Sequence, residues 1–333
     1  MNSPSLARGG GQGGGSEDCW ALWIRQRRQG GTDLPPDVVK ELQRRRDSVL
    51  DRAALRAGDV VLDVGCGDGL IGFGALERVG PSGHVIFSDI SSALVDHCRA
   101  IAKSPNFPSP SGGGQGGGSP NFPSPSGGGQ GGGSLLDQCR FVVNSADDLR
   151  DIADRSVDVV TTRSVLIYVD RKDRAFAEFF RVLRPGGRIS IGEPINRFSY
   201  PEPRGRFLGY DVMPVVEIVD KLEAFFDREE RPKISAMMDF DERDLIAIAQ
   251  RTGFGNIHLD LQADIKAPRP EDWTRFVQSA GNPLSPTLEE AMDASLTPRE
   301  RDRFTAHLKP LVESGTGTER RAFAYLSAEK PAS

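Results

Sequence analysis

The chain has 333 residues, enough for one large domain or two small ones, and a formal net charge of −5 leaves no broad basic surface for nucleic acid. No segment approaches the roughly eighteen apolar residues of a membrane span, and no leader-like apolar stretch opens the chain, so a cytoplasmic location is expected. Four scattered cysteines (Cys19, Cys66, Cys98, Cys139) contain no C-x-x-C pair, which argues against structural zinc, any other metal site and a disulfide framework.

Residues 1–16 end in a glycine-rich octet and read as a disordered tail. Two helix-like segments follow at 17–28 and 36–55. Trp20, Trp23 and Ile24 form an apolar stripe at helical spacing, suited either to packing on the domain or to a lid over a site. The basic runs at 25–28 and 44–46 have acids nearby and read as solvated helix faces.

The most informative stretch comes next. A β-branched run, Val60 to Val64, carries Asp63 and enters a turn with Gly65, Cys66, Gly67 and Gly69; an apolar helix is expected at 70–79. This is the strand–glycine turn–helix layout of a nucleotide-type cofactor site, in which a side chain would hold the backbone away from the ligand. Leu70 stands where a dinucleotide fingerprint has its third glycine, and Asp63 would repel a pyrophosphate while suiting an ammonium group. A second strand, 85–89, ends about twenty residues on in Asp89, followed by Ile90, the spacing of a carboxylate that binds ribose hydroxyls. An amine, a ribose and no phosphate describe S-adenosylmethionine.

A helix is expected at 93–103, followed by an insertion at 104–134. There a unit spanning 104–118 is repeated identically at 119–133. Each copy has a single large apolar residue (Phe107, Phe122) and cannot build a core, so the segment reads as a flexible linker. A crossover helix runs back from the ligand end of the sheet, which places the insertion at the opposite edge, with no catalytic role. Further strands follow at 140–143, with the turn Asn144-Ser145-Ala146-Asp147-Asp148 after it, and at 156–163, ending in Arg163. At 181–188, Arg-Val-Leu-Arg-Pro-Gly-Gly-Arg reads as a helix stopped by Pro-Gly-Gly before a new apolar run at 189–191.

These motifs, in this order, resemble the class I S-adenosylmethionine-dependent methyltransferases, in a style similar to quinone-biosynthesis C-methyltransferases. The match covers 55–264, with a last strand at 322–328. The resemblance implies an α/β, Rossmann-like, doubly wound seven-stranded sheet, mostly parallel with an antiparallel last strand. The core would span 58–264, with an N-terminal helical lid at 17–57, a helical cap at 265–321 and the last strand and tail at 322–333. The cofactor would be held by Asp63, Gly65, Cys66, Gly67, Asp89 and Ile90, by the adenine turn Ser145, Ala146 and Asp147, and by Arg163, which would bind the cofactor carboxylate or an anionic acceptor. Ser145 stands where the family usually has an acid; a hydroxyl still accepts a hydrogen bond but lacks the charge. A trio of thiols of the kind some similar enzymes use for arsenite is not suggested by cysteines this scattered.

The implied reaction is displacement at a sulfonium methyl, in which the protein aligns the reactants and excludes water. A base is needed only if the acceptor must lose a proton. No histidine lies between His97 and His258. His84 starts its strand at the wrong end, and His258 and His307 serve only if the C-terminal region folds over the pocket. Glu193, at the end of the fifth strand, is therefore the first catalytic candidate, with a helix cap or salt bridge as its competing role. Tyr168 is the second, and Asn196, Tyr200 and Tyr210 are candidates to line the acceptor site. The expected partner is a small-molecule acceptor, with no nucleic acid and no membrane; the oligomeric state stays open. The alternatives are a non-catalytic cofactor-binding protein and a nicotinamide oxidoreductase, against which Leu70 and Pro185-Gly186-Gly187 argue.

Overall fold

A computed structural model describes residues 18–24, 36–104, 135–229 and 235–332. The glycine-rich tail, the basic run at 25–28 and the duplicated insertion from 105 to 134 lie outside the described residues.

The elements in chain order begin with α1 (Cys19–Leu22), α2 (Pro36–Arg52), β1 (Val60–Val64), α3 (Leu70–Val79), β2 (His84–Asp89) and α4 (Ser92–Lys103). They continue with β3 (Cys139–Val143), β4 (Val157–Arg163), α5 (Lys172–Val182), β5 (Leu183–Pro194), the short hairpin β6 (Arg206–Phe207) and β7 (Tyr210–Asp211), and α6 (Val216–Glu229). The chain ends with α7 (Ser235–Met238), α8 (Glu242–Thr252), β8 (Gly255–Lys266), α9 (Trp273–Gln278), α10 (Leu288–Ser295), α11 (Pro298–Ser314) and β9 (Glu319–Glu329).

Seven strands form one sheet in the order β3-β2-β1-β4-β5-β9-β8. The pairs β1–β2, β2–β3, β1–β4 and β4–β5 are parallel; β9 runs antiparallel to both β5 and β8. This is the expected doubly wound sheet. The strand order reverses at β1 and β4, and in open α/β sheets that switch point is where ligands bind, outside the carboxyl ends of the strands. Apart from Asp63, β1 is apolar on both faces because helices cover both: Val61, Leu62 and Val64 are buried.

Three boundaries differ from the sequence reading. First, Pro185-Gly186-Gly187 does not precede β5 but lies inside it as a bulge: Val157 pairs with Leu183, yet Val159 pairs with Arg188. Gly186 takes φ +77°, and Gly186 and Gly187 exchange backbone hydrogen bonds of 2.9 and 2.8 Å with Lys330. Second, α2 is not simply lid. Its C-terminal half is core, with Val49 and Leu50 buried, Ser190 donating to the Val49 carbonyl at 2.7 Å, and Arg188 bonded to the Ala53 carbonyl and to Asp59.

Third, the cap is assembled from two stretches, not one. Val212 and Leu222, ahead of β8, pack with Ala291, Phe304, Leu308 and Val312, behind it, in one apolar cluster distinct from the two that flank the sheet. The residues before β8 join the cap because α6 has its own apolar face and no place on the sheet to bury it. Among the described residues no helix is long and apolar enough to cross a membrane.

Candidate active site

The site begins with the backbone of the turn between β1 and α3. Gly65, Gly67 and Gly69 all take positive φ, at +67°, +55° and +87°. A Cβ on Gly65 would lie 2.3 Å from Val165 Cγ2, so the residue must be glycine for space as well as for conformation. The turn is held from β2: Gly67 N–H donates to Asp89 Oδ2 at 2.9 Å, and Cys66 N–H donates to the Ser88 carbonyl at 3.0 Å. The other Asp89 oxygen accepts from Ser91 N–H at 2.9 Å. Burial raises the Asp89 pKa and these N–H groups oppose the rise. Each oxygen keeps a lone pair for a further donor.

Asp63 is 1% exposed and pairs in register with Thr161, whose hydroxyl donates to Oδ1 at 3.1 Å, while Oδ2 has no hydrogen-bond partner. Burial pushes its pKa to about 7, against the Thr161 hydrogen bond. It lies beneath the glycine turn and does not line the cavity described below.

A cavity of about 920 Å³ opens at the switch point. Gly65, Cys66, Gly67, Asp89 and Ile90 line it, as do Ser145, Ala146, Arg163 and Tyr168, so nine predicted residues come together there. Asp147 is not among the lining residues; its carboxylate accepts a hydrogen bond from the Ser145 hydroxyl. Asn144 went unrecognised in the sequence, although it lines the cavity directly before the turn. It is 7% exposed, its Nδ2 donates to Asp151 at 2.9 Å, and its Oδ1 has no partner. Its place beside Ser145 was the available signal.

The walls come from both ends of the chain. Asp18 N-caps α1 by accepting from Trp20 N–H and Ala21 N–H at 3.0 and 3.2 Å. Trp20 meets Tyr168 edge to face, ring centroids 4.8 Å apart, and Trp23 Nε1 donates to the Ala280 carbonyl at 2.9 Å on the cap. Of the other acceptor-site candidates, Asn196 and Tyr210 line the cavity and Tyr200 does not.

Glu193 is the main correction. Its carboxylate is fully buried and does not face the cavity. Oε1 accepts from the N–H groups of Val165 and Leu166 at 2.9 and 3.0 Å, and Oε2 from that of Ile167 at 3.3 Å. These are the donors at the start of the one-turn helix Leu166–Tyr168, so Glu193 is a helix cap that positions Tyr168. Burial pushes its pKa to about 7, and the three N–H groups oppose that rise. His84, His258 and His307 stand away from the cavity as well. Cys66 and Cys98 lie with sulfurs 4.0 Å apart, but no group of three metal-binding side chains exists among the described residues.

The site fits a nucleoside carrying a cationic amino-acid tail. Its lining offers bare glycine backbone, the Asp89 carboxylate and, in Asn144, a buried oxygen without a hydrogen-bond partner, and Asp63 lies beneath the turn. Fold and cavity fit a class I S-adenosylmethionine-dependent methyltransferase domain, a family whose cofactor is S-adenosylmethionine. Methyltransferase-domain family models match residues 55–108 and 125–191.

Among relatives, the arsenite methyltransferase of Halobacterium salinarum is 30% identical over 151 residues, 45% of this chain and 31% of that one. The ubiquinone/menaquinone biosynthesis C-methyltransferase UbiE of Roseobacter denitrificans is 30% identical over 148 residues, 44% of this chain and 47% of that one. The nocamycin O-methyltransferase of Saccharothrix syringae is 29% identical over 272 residues, 78% of this chain and 82% of that one. The chain spans between 31% and 47% of the length of the first three curated relatives it matches.

Proposed function

We propose that this chain transfers the methyl group of S-adenosylmethionine to a nucleophilic atom of a small-molecule acceptor by direct displacement. The observation that carries the reading is that Asp89, which anchors the glycine turn, faces the same 920 Å³ cavity that lid and cap enclose. That volume is at the upper end for ligand pockets, with room for a nucleoside and a second molecule beside it. The formal net charge of −5 argues against a nucleic-acid acceptor.

When bound, S-adenosylmethionine supplies a methyl group on an already activated sulfonium. Asp89 and the Gly67 backbone would hold the sugar, and Asn144, Ser145 and Ala146 would flank the base. Arg163, at the end of β4, would take the cofactor's carboxylate. Trp20, Trp23 and Tyr168 would exclude water and align the acceptor, which is the main contribution a protein makes to such a displacement. With Glu193 engaged as a cap, no acid–base residue is assigned on the cofactor side. The similarity to an O-methyltransferase over most of both chains supports an oxygen acceptor.

Calorimetry with S-adenosylmethionine and S-adenosylhomocysteine tests the reading. The protein should bind both, and Asp89→Ala should weaken each about tenfold or more, since a hydrogen bond to a charged group contributes about 1.5–3 kcal/mol. Pooled hydroxylated small molecules should then support S-adenosylhomocysteine formation. Binding of NADH in place of either nucleoside would overturn the proposal.

A further inference from the structure

The cap side of the cavity holds two polar groups that no cofactor contact uses. Tyr210, on β7, is only 3% exposed yet lines the cavity, and its ring is braced edge to face by Phe276 with centroids 5.9 Å apart. Its hydroxyl makes no hydrogen bond among the described residues. Glu271, just ahead of α9, also lines the cavity; its own N–H is tied to the Val312 carbonyl at 3.2 Å, while its carboxylate has neither hydrogen bond nor ion pair among the described residues. Two guanidinium groups act on Glu271 through space, Arg275 more than Arg321, and Arg321 is paired with Glu319 at 2.5 Å. A phenol donor and a half-buried carboxylate acceptor thus face one chamber with hydrogen-bonding capacity open to a ligand.

We propose that Tyr210 and Glu271 form the acceptor-recognition pair of this cavity, and that they take a neutral molecule presenting a phenol or enol hydroxyl. Glu271 accepts a hydrogen bond from that hydroxyl, and Tyr210 donates to the same oxygen or to an adjacent carbonyl. An ammonium group is the less suitable partner, because Arg275 and Arg321 act on Glu271 as neighbouring positive charges and would repel a second cation. Burial raises both pKa values, Tyr210 further through the charges of Glu271 and Glu319, which keeps the phenol a donor and makes the carboxylate a better proton acceptor. The inference rests on the methyltransferase reading and names the acceptor class for it.

The test is calorimetry on the full chain saturated with S-adenosylhomocysteine, using 2-naphthol and its methyl ether as probes. The naphthol should bind about tenfold or more tightly than the ether, because a site built to hydrogen-bond a hydroxyl rejects the analogue lacking it. Glu271→Gln and Tyr210→Phe should each bring that ratio toward one while leaving S-adenosylhomocysteine affinity and melting temperature unchanged. Equal binding of naphthol and ether, binding of neither, or an unchanged ratio in both variants overturns this inference and leaves the cofactor reading intact. Failure to bind S-adenosylhomocysteine at all would instead overturn the parent reading.

Discussion

The Ser91 hydroxyl donates a 2.6 Å hydrogen bond to Asp18, and the Ser91 N–H donates one of 2.9 Å to Asp89. One residue thus ties the N-cap of α1 to the carboxylate that anchors the glycine turn. Ser91 also caps α4, its hydroxyl accepting from Leu94 N–H at 3.1 Å, so the latch is anchored in regular structure.

If α1 closes over the bound cofactor, breaking the latch should free the ligand without unfolding the core. Asp18→Ala is expected to speed S-adenosylhomocysteine dissociation about tenfold, as lost charge-assisted hydrogen bonding requires. The melting temperature should hardly move, because α1 buries only Ala21. Stopped-flow tryptophan fluorescence reads the rate through Trp20 and Trp23. An unchanged rate would show that the lid is static packing.

Two fully buried carboxyls make a pH prediction for the ligand-free protein. Asp63 and Glu193 both have pKa values raised to about 7 by burial, against about 4 in an unfolded chain. For a raised folded-state pKa the stabilising contribution is complete below the unfolded value and is lost as pH climbs through the folded one. Each group should therefore subtract stability between about pH 4 and 7, on the order of a few kcal/mol. Asp63→Asn should flatten the melting-temperature profile over that window relative to the parent; parallel profiles would refute the assignment.

Glu193→Gln separates capping from acid–base catalysis. An amide nitrogen would point at backbone N–H groups that now have a carboxylate oxygen, costing about 1–3 kcal/mol of stability. With any acceptor the protein turns over, kcat/KM should fall while the shape of its pH profile persists, because the residue positions Tyr168 and moves no proton. Disappearance of the profile's acidic limb would restore Glu193 as the base.

Gly65 and Gly186 share a positive φ, at +67° and +77°, but differ in surroundings. A Cβ at Gly186 meets nothing within 4 Å, whereas at Gly65 it meets Val165 Cγ2 at 2.3 Å. Gly186→Ala should cost only the left-handed backbone penalty of about 1–2 kcal/mol. Gly65→Ala should cost more and abolish cofactor binding, and adding Val165→Ala should recover part of the stability. Denaturant titration of the variants gives the ordering.

The part of the cavity beside the glycine turn was legible because its elements are local. A strand, a glycine turn and a helix within Val60–Val79 need no distant residue to declare themselves, and Asp89 follows at a spacing set by the length of one helix and one strand. The Pro-Gly-Gly bulge was misread as a boundary because turn residues look alike whether a strand starts or kinks there. Glu193 stayed open between base and helix cap because the end of a strand does not say which way a side chain faces.

From the amino acids alone came the class of sheet, the cofactor and most of the residues that line the cavity beside the glycine turn, since short apolar runs and glycine turns encode those over short distances. Tertiary packing decided the rest. It spent Glu193 on backbone N–H groups, built the cap from segments on both sides of β8, and brought Asp18 to Ser91 and Glu271 into the chamber with Tyr210. Those neighbours are far apart along the chain, and only burial of apolar faces against one another sets such distances.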